Sequence, residues 1–153
     1  MGWEPWIHFA HVIAAIVWVG GGAAVSLVAW RVRRSGDIAV FRELAGVQSF
    51  LGLTVFLPSI VVVLLSGIWL VLDFSGDFTK LWLVLGIGAF VAAFLIGAVF
   101  LSRSAIRFDR LAKSGDLEGA RSALGSWMVG YAVVLAILVF AVWDMVFKPG
   151  TGG

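Results

Sequence analysis

The sequence predicts an all-α integral membrane protein: a four-helix bundle with both termini on the non-cytoplasmic side. Three observations point there. Of 153 residues, 61% are hydrophobic and 13% charged, whereas a soluble domain carries roughly a quarter charged residues. The apolar residues gather into four long runs. The basic residues fall almost entirely into two of the connections between those runs.

The runs cover about 7–30, 47–72, 81–101 and 124–147. Each is long enough to cross a hydrocarbon core of about 30 Å as a helix, which takes about 20 residues. None alternates apolar and polar residues as a barrel strand does. A helix closes its own backbone hydrogen bonds where the bilayer supplies no water. The expected helices are 6–30, 47–72, 80–110 and 123–147, in one domain spanning 1–148, with 149–153 as a flexible tail.

Orientation follows from Lys and Arg. The first connection holds Arg31, Arg33, Arg34 and Arg42, and the third holds Arg103, Arg107, Arg110, Lys113 and Arg121. Those four and five make nine of the eleven basic residues, leaving Lys80 and Lys148 for the other side. The basic side is cytoplasmic by the positive-inside rule. Membrane lipids are therefore the first partners expected, in a bacterial inner membrane, with the basic loops able to meet anionic lipid. A nucleic-acid partner would need a basic soluble face, which the chain lacks. The first helix is too long, and too poor in leading basic residues, for a cleavable signal peptide. With no cysteine in the chain, disulfides, thiolate metal sites and cysteine nucleophiles are excluded. Trp3, Trp6, Trp69, Trp82 and Trp143 are placed at the outer interface, and Trp30 and Trp127 at the inner one, as an aromatic belt.

The chain reads as two helical hairpins. Arg34-Ser35-Gly36-Asp37 recurs as Lys113-Ser114-Gly115-Asp116, each followed by an arginine and a new apolar helix. Each turn is expected to end a helix at glycine and start the next with Asp as N-cap. An internal duplication fits the match, and so does convergent turn chemistry. Arg103, Arg107 and Arg110 share one face, so the third helix should project beyond the membrane before Gly115. Gly20-Gly21-Gly22 and the Ala93/Gly97 pair are small residues that let helices approach closely. Pro58 should kink the second helix.

Few ionisable residues lie in or near the bilayer: Glu4, His8, His11, Asp73, Lys80, Asp144 and Lys148. Such residues are costly in a membrane and are functional candidates by default. His8 and His11, the only histidines, are three apart and share a helical face. A solvated His8 and a His11 hydrogen-bonded to another helix would explain both without any cofactor. Three chemistries also use such a pair. Copper accepts imidazole, carboxylate and thioether, so His8 and His11, with Glu4 and Met145, form a candidate metal set. Haem accepts one axial histidine in a bundle core, with methionine, lysine, water or another subunit's histidine opposite. A proton relay would join His11 to Asp144 or Lys80. Asp144 and Lys148, four apart, suit a local ion pair. Trp18 lies seven residues beyond His11, on the same face, where packing explains it.

The segment His11-Val-Ile-Ala-Ala-Ile-Val-Trp18-Val-Gly-Gly resembles the first-helix signature of a superfamily of small bacterial membrane proteins. That group includes CopD-like copper-resistance domains, HemJ-type protoporphyrinogen oxidases and a family called domain of unknown function 2269. The last is the most similar, sharing the Ser-Gly-Asp turn and an ending like Asp144-Met-Val-Phe-Lys148-Pro149, and the resemblance covers essentially the whole chain. Lys80-Leu-Trp-Leu-Val84 looks like a helix-opening segment of the HemJ-type enzymes. The resemblance implies His11 as axial haem ligand and Lys80 as a second functional residue, with Trp18 and His8 beside them. Where the HemJ type continues with Leu-Pro-Arg, this chain has Ala23-Ala-Val-Ser-Leu27, which speaks against protoporphyrinogen oxidase activity and leaves haem binding open. Methionine-rich copper motifs are absent, the chain having three methionines.

The leading expectation is a b-type haem site near the outer face, serving membrane redox or haem handling. Any enzymatic activity would be that of a haem-dependent oxidoreductase. A copper-binding or copper-transporting module is the first alternative, and a cofactor-free structural or accessory subunit the second. A homo-oligomer or larger membrane complex is expected in each case.

Overall fold

The computed structural model describes residues 2–74 and 80–150, without the side chains of Asp73 and Phe74. The Asp73–Lys80 turn and Asp73 as a candidate therefore fall largely outside the described residues. Four long helices account for nearly all the described residues. They are α1 (Glu4–Arg34), α2 (Ile38–Leu51, Gly52–Phe56 and Leu57–Phe74 in continuity), α3 (Leu81–Leu95, Ile96–Leu101 and Ser102–Ser114 in continuity) and α4 (Leu117–Phe147). All four are long and apolar enough to cross a membrane. Their outward surfaces are lined with exposed Leu, Ile, Val and Phe, which the lipid covers. The chain is a multi-pass membrane protein.

Apolarity set the expected helix ends, and capping sets the real ones. α2 begins at Ile38 rather than near residue 47, because the Asp37 side chain accepts the Ala39 N–H at 2.8 Å. α4 begins at Leu117 rather than 123, because Asp116 accepts the Gly119 N–H at 2.9 Å. A side-chain cap satisfies an N–H left open by the first turn. The helices therefore extend beyond the apolar runs at the arginine-rich end. There Phe41 and Phe108 meet with ring centroids 6.2 Å apart, and Phe41, Phe108, Ala112 and Ala120 are wholly buried. α3 runs on to Ser114 as its arginine face implied.

The two Ser-Gly-Asp turns do not end their helices alike. Gly115 is left-handed, with φ 84°, whereas α1 stops at Ser35 in extended backbone and needs no left-handed glycine. The arginine after each turn does equivalent work in opposite hairpins. Arg42 Nε donates to the Ala112 carbonyl at the end of α3 (2.9 Å), and Arg121 donates to the Ser35 carbonyl at the end of α1 (3.1 Å). Basic side chains suit the open carbonyls of a helix C-terminus.

α1 crosses α4 at a glycine. A methyl group on Gly22 would overlap the Tyr131 hydroxyl, which donates instead to the Trp18 carbonyl at 3.0 Å. Of the three consecutive glycines, Gly22 carries the close approach, Gly21 faces Phe56, and Gly20 is open. Gly97 is likewise open, and Gly130 instead makes the α3–α4 contact, against Phe100. Trp127 corrects the aromatic-belt assignment. It is 5% exposed and stacks on Tyr131 with centroids 5.4 Å apart, so it belongs to the core.

Neighbouring helices touch all round at the arginine-rich end. Toward the other end α1 stays packed on α2, and α3 on α4, but the backbones of Leu57–Phe74 and Leu81–Leu95 stand apart, with no Cα pair within 8 Å among the described residues. Both helices change winding just before this seam opens, at the π-helical turns Gly52–Phe56 and Ile96–Leu101. Pro58 contributes in α2, since it cannot donate to the carbonyl four residues back. A π turn inserts a residue and re-aims the helix beyond it.

Candidate functional site

The open seam between α2 and α3 holds a cleft of about 340 Å³. This lies within the roughly 300–1,000 Å³ usual for small-molecule sites. Its walls are almost wholly apolar: Val63, Ile68 and Val71 from α2, and Leu83 and Phe90 from α3. His11 of α1 and Met145 of α4 also line it. Two glycines widen it. A Cβ on Gly67 would lie 3.3 Å from the His11 ring, and one on Gly86 would lie 3.3 Å from Asp144 and 3.5 Å from the Met145 methyl.

His11 Nδ1 lies 2.9 Å from Ser66 Oγ. The Ser66 hydroxyl donates backward to the Val62 carbonyl, so its oxygen accepts from His11. With the Ser66 hydroxyl proton turned to Val62, the His11 proton is assigned to Nδ1, and Nε2 is the nitrogen that carries the lone pair. A neutral imidazole that donates through one nitrogen and offers the other is the arrangement of a metal-ligating histidine.

The other expected site residues are placed as follows. Trp18 is 5% exposed in the core and does not line the cleft; its ring meets the lining residue Phe90 edge-on, with centroids 6.1 Å apart. His8 is exposed and outside the cleft lining. Lys80 is the residue before α3, its carbonyl accepting from Leu83 and Val84, and its side chain is not in the lining. The Lys148 side chain does approach a lining residue, its Nζ sitting 5.4 Å from the centre of the Trp82 ring.

The expected Asp144–Lys148 ion pair does not form. Lys148 ends α4 in a left-handed conformation, with φ 45°, and its ammonium lies over the Trp82 ring. Asp144 is 0% exposed, and neither carboxylate oxygen has a hydrogen-bond partner among the described residues. The Trp82 indole N–H is also buried without an acceptor. No three His, Cys, Asp or Glu side chains among the described residues group as metal ligands.

Sequence reasoning missed Ser66, Gly67 and Gly86. The signal lay in the small polar-glycine pair Ser66-Gly67 inside an otherwise bulky apolar run. Only knowledge that α2 packs on α1 connects it to His11.

Fold and cleft together define a four-span α-helical membrane protein with a lipid-level cleft. The chain belongs to the family described as predicted integral membrane protein (DUF2269), which matches residues 5–149. No curated protein and no solved structure matches significantly.

Proposed function

We propose that the cleft holds a b-type haem through His11 Nε2, and that the protein serves membrane redox or haem handling. The Ser66–His11 hydrogen bond carries this reading. In a packed apolar helix it fixes the tautomer that a metal ligand needs, and the ring it orients lines an apolar cleft. When bound, a haem supplies reversible one-electron transfer. The protein's residues have separable tasks. Ser66 holds the imidazole, and Gly67 leaves room beside its ring. Leu83 and Phe90 keep water out. Met145 lines the same cleft and is the chain's own candidate for the second ligand. Lys148, rather than Lys80, is assigned to meet the propionates, because it reaches a lining residue. The seam faces lipid between α2 and α3, so an apolar macrocycle can enter from the bilayer.

Copper ranks below haem in this reading, since His8 lies outside the cleft that His11 lines. The test is titration of haem into the purified chain. Stoichiometric development of a sharp Soret band supports the site. A spectrum that stays that of free haem in detergent puts a cofactor-free accessory role first.

A further inference from the structure

A second pocket lies at the arginine-rich end, about 540 Å³ in volume, between α1, α3 and α4. Its polar lining is Arg33, Glu118, Arg121, Ser122 and Ser126, and its apolar lining includes Phe100 and Val129. The Arg33 guanidinium lies flat against α4 where residue 125 is glycine, and a Cβ there would stand 3.1–3.2 Å from it. Arg33 has no carboxylate or carbonyl partner among the described residues.

Arg121 is half-satisfied. One terminal nitrogen meets Glu118 at 2.9 Å, the other donates to Ser35, and its Nε is buried with no acceptor. Glu118 therefore neutralises one of the two arginines, and the pocket keeps one positive charge with several unused N–H donors. The Ser122 hydroxyl makes no hydrogen bond among the described residues, while that of Ser126 donates to the Ser122 carbonyl at 3.2 Å. Guanidinium donors converging with a free hydroxyl suit a tetrahedral oxyanion.

Depth along the helices narrows the choice. Arg33 and Arg121 flank the ends of the apolar runs, and Phe100 and Val129 lie farther in. An anion held by the arginines would sit at headgroup level, with the exposed Phe100 and Val129 faces beside its chain.

We propose that this pocket binds a phosphate group, as borne by an anionic phospholipid headgroup or by a free phosphate. The full chain is exchanged into vesicles with equal phosphatidylglycerol and phosphatidylcholine, extracted gently, and its retained lipid counted by native mass spectrometry. Phosphatidylglycerol should be enriched about fivefold, the effect of one basic residue near an anionic surface. Arg33→Gln should abolish the enrichment. Gly125→Val, which displaces the guanidinium, should do the same. Arg110→Gln, which removes an equal charge elsewhere on the basic end, should leave it intact. Circular dichroism checks that each variant is folded, and Arg33→Gln decides alone if Gly125→Val is not. In a second arm inorganic phosphate is added before extraction. Competition assigns the pocket to free phosphate, and its absence assigns it to lipid; both uphold the phosphate site. Equal retention of the two lipids, or equal loss in Arg110→Gln and Arg33→Gln, overturns it.

Discussion

Tyr131 donates its hydroxyl to the backbone carbonyl of Trp18 at 3.0 Å, bonding the middle of α4 to the middle of α1. The contact exists because residue 22 has no side chain. Gly22→Ala should therefore destabilise the bundle by about 1–3 kcal/mol, the usual effect of overpacking. Tyr131→Phe should lose only about 0.6 kcal/mol, the average for a hydrogen bond between membrane helices. Reversible unfolding in mixed micelles measures both. The opposite ranking would show that the hydrogen bond, and not the close approach, holds α1 on α4.

Ser66→Ala removes the acceptor that orients His11 and leaves the cleft apolar. Loss of such a supporting partner typically weakens a metal site 10–100-fold. The same fall is expected in haem affinity by titration, with the helical circular dichroism unchanged. Undiminished affinity would mean that Ser66 does not set the tautomer.

Asp144 is buried in α4 with both oxygens unpartnered among the described residues. A buried polar group without partners is destabilising, and a charged one more so. Asp144→Asn should leave Tm unchanged or raise it. A fall of more than about 4 °C, corresponding to at least roughly 1 kcal/mol in a chain this size, would reveal a partner that Asp144 depends on.

Topology is testable without background because the chain has no cysteine. Gly2→Cys should react with an impermeant thiol reagent added outside intact cells, and Ser114→Cys should react only after permeabilisation. The reverse pattern inverts the orientation.

The spans and the basic end were legible because each is written locally, in runs of apolar residues or in loop charge. Helix starts were legible in Asp37 and Asp116, yet apolarity alone placed the starts up to nine residues late, at 47 and 123 instead of Ile38 and Leu117. The cleft was not legible. It depends on α2 and α3 parting beyond two π turns, and neither Gly52–Phe56 nor Ile96–Leu101 has a distinctive composition. Lys80 is singled out in the sequence because it opens a helix in a suggestive context, and its side chain lies outside the cleft lining. The cation–π contact of Lys148 with Trp82 joins residues 66 apart and is visible only in three dimensions.

The central claim is that His11, and not His8, holds a haem in the cleft. Wild type, His11→Ala and His8→Ala are expressed with ample haem, purified in parallel, and compared by absorption at equal protein. The account predicts a Soret band in wild type, retention of it in His8→Ala, and its loss in a folded, membrane-inserted His11→Ala. A Soret band that survives intact in His11→Ala would contradict it.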